Sequence, residues 1–322
     1  MMREFLRAGS IVGASMAATP LQPAPSLSER YGLSLHTKHE NLTPVRSFKL
    51  RGALNRIAQL SAQEREAGVV TASTGNHGLA IAHAAAALGT SAVIVVPPGV
   101  PDIKTAPAVA LGAELRAGGP TLSDAIATAA EIGAREQRVV IEDGDDSGLM
   151  FGAGTIALEV VLALPHVDVM LVPVGGGNLI AGIASCARQL SPEIEIVGVQ
   201  STSAPAVYES FRAKEVVTLP CTTFAGGLAT EYPGRLALER ILGSVHDIVL
   251  VTDDELRAAM ALAIGELGQV LEGAGAASIA ALERYADRWR GRTVVAILSG
   301  GNADRAEVLS VLQGAAPAAV GM

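Results

Sequence analysis

Residues 47 to 53 read SFKLRGA and set Lys49 behind Phe48 and ahead of Arg51 and Gly52. A lysine amine that loses its charge in an apolar setting is a nucleophile that forms Schiff bases with carbonyl compounds. The same side chain on a solvated helix face does no chemistry and only lays its stem over apolar surface. Three further stretches bear on the choice. STGNHG, residues 73 to 78, places Ser73, Thr74, Asn76 and His77 between a β-branched run and an alanine-rich stretch. Hydroxyls, an amide and free N–H groups at a helix N-terminus make either a cradle for an anion such as a carboxylate or an ordinary capping turn. In VGGGN, Gly175, Gly176, Gly177 and Asn178 let backbone N–H groups close on a phosphate. Ile180 occupies the third glycine position of GxGxxG, and no Lys-Ser/Thr pair follows as in a Walker loop, so a phosphate outside a dinucleotide is the better reading. LSGGN, residues 298 to 302, offers Ser299, whose hydroxyl can donate to or accept from a ring nitrogen without imposing charge.

Each of these turns follows a short apolar run and opens a helical stretch, and open parallel sheets bind ligands beyond the carboxyl ends of their strands. Runs at 69–72, 92–96, 114–117 and 139–141 alternate with helical stretches near 76–88, 102–111 and 122–135, the βαβ pattern of a parallel sheet. Pro107 predicts a kink or break in the middle stretch. A second set places strands at 169–174, 194–199, 248–251 and 293–298, with helices near 153–163, 178–190, 255–269, 274–286 and 303–312. Thr252 and Glu255 read as a capping box, and residues 200 to 245 loosen into loops around short helices.

Of 322 residues, 49% are hydrophobic and only 3% aromatic, so the core is built from Ala, Val, Leu and Ile, as layered α/β architectures require. A formal charge of -8 argues against general nucleic-acid binding. Cys186 and Cys221 lie far apart, in neither a CxxC nor a metal-ligand spacing, and a reducing cytoplasm is expected. MMREFLR followed by AGSIVGASMAA imitates a signal peptide, but Gly9, Ser10, Gly13 and Ser15 dilute its apolar stretch. No apolar run of about 18 residues is present to span a bilayer.

Taken together, ENLTPVRSFKLRGA, STGNHG, VGGGN and LSGGN resemble, in order and approximate spacing, the fold-type II family of pyridoxal-phosphate enzymes: threonine and serine dehydratases, serine racemase and relatives. The resemblance covers nearly the whole chain. It implies an α/β fold of two parallel-sheet domains with helices on both faces, like the tryptophan synthase β chain. The large cofactor-binding domain would comprise residues 1–58 and 146–322, with a small inserted α/β domain at 59–145. By the same resemblance Lys49 carries pyridoxal 5'-phosphate as a Schiff base, with Phe48 against the ring. Asn76 bonds the ring hydroxyl, Gly175, Gly176, Gly177 and Asn178 hold the phosphate, and Ser299 faces the pyridine nitrogen. Ser73, Thr74, Asn76 and His77 receive the substrate carboxylate, His77 being either an anchor there or a structural histidine. Freed Lys49 takes the α-proton of an L-β-hydroxy amino acid, and loss of the β-hydroxyl leads to a 2-oxo acid and ammonia.

Several positions depart from the family pattern. Arg46 stands where relatives usually have glycine; it either pairs with an extra substrate carboxylate or points to solvent. Gly226, in Phe224-Ala225-Gly226-Gly227, replaces a usual aspartate and leaves room for a β-substituent bulkier than methyl, such as the aryl group of phenylserine. Thr74 stands where serine racemase has its second-face serine, and a β-branched hydroxyl swings less freely, which disfavours racemisation. Gln200 and Ala206 occupy the acidic positions of the racemase metal site, so no required divalent ion is expected. Glu272-Gly273 replaces Glu-Pro; Glu272 either neighbours the ring or caps the next helix. About twenty residues follow Ser299, so no regulatory ligand-binding domain is expected after it.

The reading is therefore a cytoplasmic homodimer acting on a small amino acid, with no nucleic-acid or membrane partner. Its alternatives are an amino acid racemase, a hydroxyaspartate dehydratase and β-replacement by a thiol. From other classes come a catalytically silent pyridoxal-phosphate-binding protein and a dinucleotide-dependent dehydrogenase, the latter opposed by the failed GxGxxG spacing.

Overall fold

The computed structural model describes residues 1–100 and 102–314, without the side chains of residues 102–104. The chain opens with α1 (Met2–Ser15), β1 (Leu21–Pro23), α2 (Pro25–Tyr31), β2 (Ser34–His39), α3 (Lys49–Ala58) and α4 (Ala62–Ala67). It continues through β3 (Val69–Ala72), α5 (Asn76–Ala87), β4 (Ala92–Val96), α6 (Asp102–Ala110), β5 (Glu114–Ala117), α7 (Leu122–Glu136) and β6 (Val139–Val140). Then come α8 (Ser147–Ala163), β7 (Val169–Pro173), α9 (Asn178–Leu190), β8 (Glu195–Ser201), α10 (Ala206–Ala213) and α11 (Arg235–Ser244). The last elements are β9 (Asp247–Val251), α12 (Asp253–Leu267), α13 (Gly273–Tyr285), β10 (Thr293–Leu298) and α14 (Arg305–Gly314).

Two sheets result, one of six strands in the order β1-β2-β10-β7-β8-β9 and one of four in the order β5-β4-β3-β6. Every pairing is parallel except β1 with β2. The central strands read as unbroken apolar runs because both faces are covered. Alternate residues go to opposite layers: Val294, Ala296 and Leu298 meet α12 and α13, whereas Val295 and Ile297 meet α8 and α9. In the smaller sheet Val69 and Ile94 pack toward α3 and α5, and Val70, Val93 and Val95 toward α7.

The strands of both predicted sets are present, and the Thr252–Glu255 capping box closes as expected. Pro107 lies inside α6 rather than ending it. α8 begins at Ser147, ahead of the predicted start near 153, because Asp146 accepts from the N–H groups of Gly148 and Leu149. β1 and β2 have no counterpart among the expected strands, because LQP is too short and SLHTKH too polar to read as one. Its Lys38 is nonetheless buried, donating to Glu159 Oε2 at 2.5 Å and to Thr19 O at 2.6 Å.

α3 links the two sheets. Leu50, Ala53, Leu54 and Ile57 enter the core of the smaller sheet, while Arg51 faces α8. The approach of α3 to α8 depends on bare backbone. A Cβ on Gly152 would stand 2.3 Å from Arg51 O, and one on Gly52 would stand 2.9 Å from Leu149 O.

Candidate active site

In the six-stranded sheet the chain runs outward through β7, β8 and β9 and returns with β10 between β2 and β7. In the smaller sheet it runs outward through β3, β4 and β5, and β6 returns on the other side of β3. Each reversal opens a crevice beyond the carboxyl ends of its two strands. β10 and β7 exit into the turns at Ser299 and Gly175; β3 exits into the turn at Ser73, and Asp143 follows β6. Bonds join the crevices into one site. Asn76 Nδ2 donates to Glu272 Oε1 at 2.7 Å, Asn302 Nδ2 donates to Asn76 Oδ1 at 2.8 Å, and Lys49 pairs with Asp143.

Lys49 is the first residue of α3, and the segment before it is pinned to the exit of β10. Phe48 N donates to Ser299 O at 3.0 Å, Gly301 N donates to Arg46 O at 2.9 Å, and Ser47 bridges Gly300. The Lys49 side chain is 20% exposed, with Nζ 5.3 Å from the centroid of the Phe48 ring and ion-paired to Asp143. This corrects the expected apolar setting: Leu50 turns into the core of the smaller sheet, and the amine faces a carboxylate instead. Burial acts to raise the Asp143 carboxyl, but the charges of Lys49 and His77 outweigh it and bring its pKa down to about 2.

At the start of α5 the Ser73 hydroxyl accepts from Gly75 N at 3.2 Å and Gly78 N at 2.9 Å, so it shapes the turn rather than facing a ligand. His77 likewise departs from its expected place as a carboxylate anchor. Its imidazole is buried, with Nε2 3.2 Å from Ile141 O, and burial lowers its pKa below the ordinary histidine value. What the turn presents to the crevice is the exposed Thr74 and the N–H groups of Asn76 and His77, which lack intrahelical acceptors at a helix start. Asn76 itself is held by Glu272 and Asn302, so Glu272 braces this amide instead of capping α13.

At the glycine loop, Gly177 adopts φ +104° and leads into α9, whose first N–H groups carry no side-chain cap. A Cβ on Gly175 would strike Gly227 O at 2.3 Å, whereas Gly176 has nothing within 4 Å of that position. The loop is thus tight on one side and open on the other, as an anion cradle requires. The side chain of Asn178, expected on the phosphate, instead donates to Gly144 O at 2.6 Å and accepts from Gly144 N at 3.2 Å. Ser299 is buried, and its hydroxyl stands a long 3.4 Å from Ala274 O, leaving it free for a better partner.

Arg46 has φ +54° and is exposed. The left-handed backbone explains why glycine suits this position, since a side chain there is strained. Arg46→Gly is expected to stabilise the fold by about 0.5–1 kcal/mol, read from the urea midpoint; an unchanged or lower midpoint contradicts this. Gly226 is exposed, with open space where a Cβ would stand. Gln200 is buried and its Oε1 accepts from Tyr208 N at 2.8 Å. Among the described residues no group of three or more His, Cys, Asp or Glu is placed to hold a metal ion.

Asp143, Asn302 and the bracing role of Glu272 escaped sequence reasoning. The only trace of Asp143 was the acidic run 142–146, and its members have separate tasks: Asp145 accepts from the N–H groups of Arg235 and Leu236, and Asp146 caps α8 and pairs with Arg56.

A reactive-type lysine, a glycine cradle at a helix start and an uncharged hydroxyl, meeting at two facing switch points, define a site for a phosphate-bearing aldehyde bound through its carbonyl. The model of the family described as pyridoxal-phosphate dependent enzyme (PALP) matches residues 14–300, and the chain belongs to that family. It is 39% identical over 287 residues to the catabolic L-threonine dehydratase TdcB of Escherichia coli strain K12, covering 88% of this chain and 87% of that protein. Among solved structures, the processed form of threonine deaminase isoform 2 from Solanum lycopersicum matches with a TM-score of 0.93 and 33% identity, over 98% of this chain and 94% of that one. Maize serine racemase matches with a TM-score of 0.91 and 27% identity, over 97% of each chain.

Proposed function

We propose that this pyridoxal-phosphate enzyme is an ammonia-lyase that dehydrates and deaminates an L-β-hydroxy amino acid of the threonine and serine type to a 2-oxo acid and ammonia. The observation that carries the reading is Lys49 set between the Ser299 exit of β10 and Asp143, within one site that includes the STGNHG and glycine turns. Bound pyridoxal phosphate supplies an electron sink for charge developing at the α-carbon. Lys49 would hold the cofactor covalently and would serve as general base toward the α-proton. Phe48 would flank the ring, the N–H groups of Gly175, Gly176, Gly177 and Asn178 would hold the phosphate, and Ser299 would meet the ring nitrogen. Because Ser299 is neutral it would not enforce protonation there, which favours loss of the β-hydroxyl. The N–H groups of Asn76 and His77 receive the substrate carboxylate, and the Asn76 amide, braced by Glu272, orients the ring edge.

The finer reading is a β-substituent larger than methyl, supported by the open space at Gly226. Gly226→Asp is expected to lower kcat/KM for phenylserine about tenfold relative to threonine; an unchanged ratio would remove Gly226 from specificity. Release of 2-oxo acid and ammonia from serine, threonine, hydroxyaspartate and phenylserine tests the whole reading. Enantiomer exchange without ammonia would overturn it in favour of a racemase. The reading includes the division at residues 58/59 and 145/146 and a homodimer in a reducing cytoplasm, where Cys186 and Cys221 stay free thiols. No helix among the described residues is long and apolar enough to cross a membrane.

A further inference from the structure

Among the described residues Asp143 is the carboxylate that pairs with Lys49, and it does so from beside the glycine loop. One of its oxygens is ion-paired with Lys49 Nζ, and the other lies 3.4 Å from the side chain of Asn178, the first residue of α9. The side chain keeps 34% of its surface exposed, so it lines the crevice instead of filling the core. Its place is structurally determined, because β6 pairs with β3 and the Asn178 amide grips the main chain of Gly144 from both sides. A negative charge therefore stands against the amine and within 3.4 Å of the side chain that opens α9, on the flank of the loop that a phosphate-bearing aldehyde needs. Like charges held in one crevice oppose each other where water is partly excluded.

We propose that Asp143 is a positioning residue that sets cofactor retention, its carboxylate engaging Lys49 and opposing any phosphate at the glycine loop. Asp143 thereby makes the cofactor exchangeable, and the site exchanges affinity for a lysine held in one place. This rests on the assignment of the glycine loop as the phosphate cradle.

The test compares Asp143→Asn and Asp143→Glu with the parent enzyme. Holoenzyme is dialysed against cofactor-free buffer and the retained visible absorbance is followed. The full-length protein, stripped with hydroxylamine, is then titrated calorimetrically with inorganic phosphate. Asp143→Asn is expected to bind phosphate about tenfold more tightly and to lose cofactor correspondingly more slowly, while Asp143→Glu, which restores the charge, behaves like the parent. A merely structural role would not produce this split. Equal or weaker phosphate binding by Asp143→Asn overturns the proposal, as does tight binding by Asp143→Glu. If none of the three proteins responds to phosphate, the cradle assignment itself falls. Asp143→Ser serves as the neutral variant should the asparagine protein not fold, with the same outcomes.

Discussion

Lys49→Ala is expected to reduce turnover by about 10⁴-fold or more while leaving the protein folded. General-base catalysis alone contributes on the order of 10²–10⁴-fold, and losing the covalent hold on the cofactor also removes the orientation it provides. Stability should change little, because the side chain lines the crevice and its helix is held by Leu50, Leu54 and Ile57 in the core of the smaller sheet. The chain has only three other lysines, Lys38, Lys104 and Lys214, which makes the measurement clean. Borohydride reduction of the loaded enzyme followed by peptide mass mapping should place the cofactor on Lys49 and on no other residue. Label at another lysine, or an alanine variant within tenfold of parental activity, would remove Lys49 from the chemistry.

Reading the sequence succeeded where burial is continuous and failed where compensation comes from far along the chain. β7 and β10 were legible because strands covered on both faces are plain apolar runs, and the turns after them were legible because glycine clusters at strand ends are conspicuous. β2 was not, because its buried Lys38 is neutralised by Glu159, 121 residues later. The same applies to Asp143: its partner lies 94 residues away, and the two meet only because the chain order reverses between β3 and β6. Within STGNHG the residue types were read correctly as helix-start chemistry, yet the roles were redistributed. Ser73 and His77 turn inward to build the turn, leaving Thr74 and backbone N–H groups toward the crevice. Periodicity cannot separate these cases, since a buried hydroxyl that caps and an exposed one that binds carry the same letter. Arg46 is the converse: family resemblance flagged the position, and its left-handed backbone supplies the reason.

The largest stability effect is expected at Arg51, two residues after the lysine and on the opposite side of α3. Its guanidinium is fully buried and meets both oxygens of Glu40, at 2.7 and 2.9 Å, and both oxygens of Glu159, at 2.6 and 2.9 Å. The hydroxyls of Thr155 and Thr19 also stand within reach, 3.0 Å from Nη1 and 3.1 Å from Nη2, and share the five N–H bonds with the carboxylates. With Lys38 beside it, the cluster sets two cations against two carboxylates and ties β2, α3 and α8 behind the active site. Burial acts to lower the Arg51 pKa, but Glu40 and Glu159 more than offset it, so the group stays charged. Arg51→Met leaves the buried Glu40 and the partly buried Glu159 facing one ammonium, and breaking a buried pair in this way costs about 3–5 kcal/mol. Arg51→Lys is expected to recover only part of that loss, because a point charge cannot replace a planar fork that bonds both carboxylates. Adding Glu40→Gln to Arg51→Met restores charge balance and should return part of the stability. Urea unfolding of the single and double variants measures this directly. A loss below about 1 kcal/mol for Arg51→Met, or a double variant whose costs simply add, would mean the cluster is not electrostatically coupled. Coupling has a consequence for the chemistry as well, since the first turn of α3 carries Lys49 on one side and Arg51 on the other. Loosening the cluster should therefore lower the fraction of cofactor fixed by borohydride before it changes the global fold.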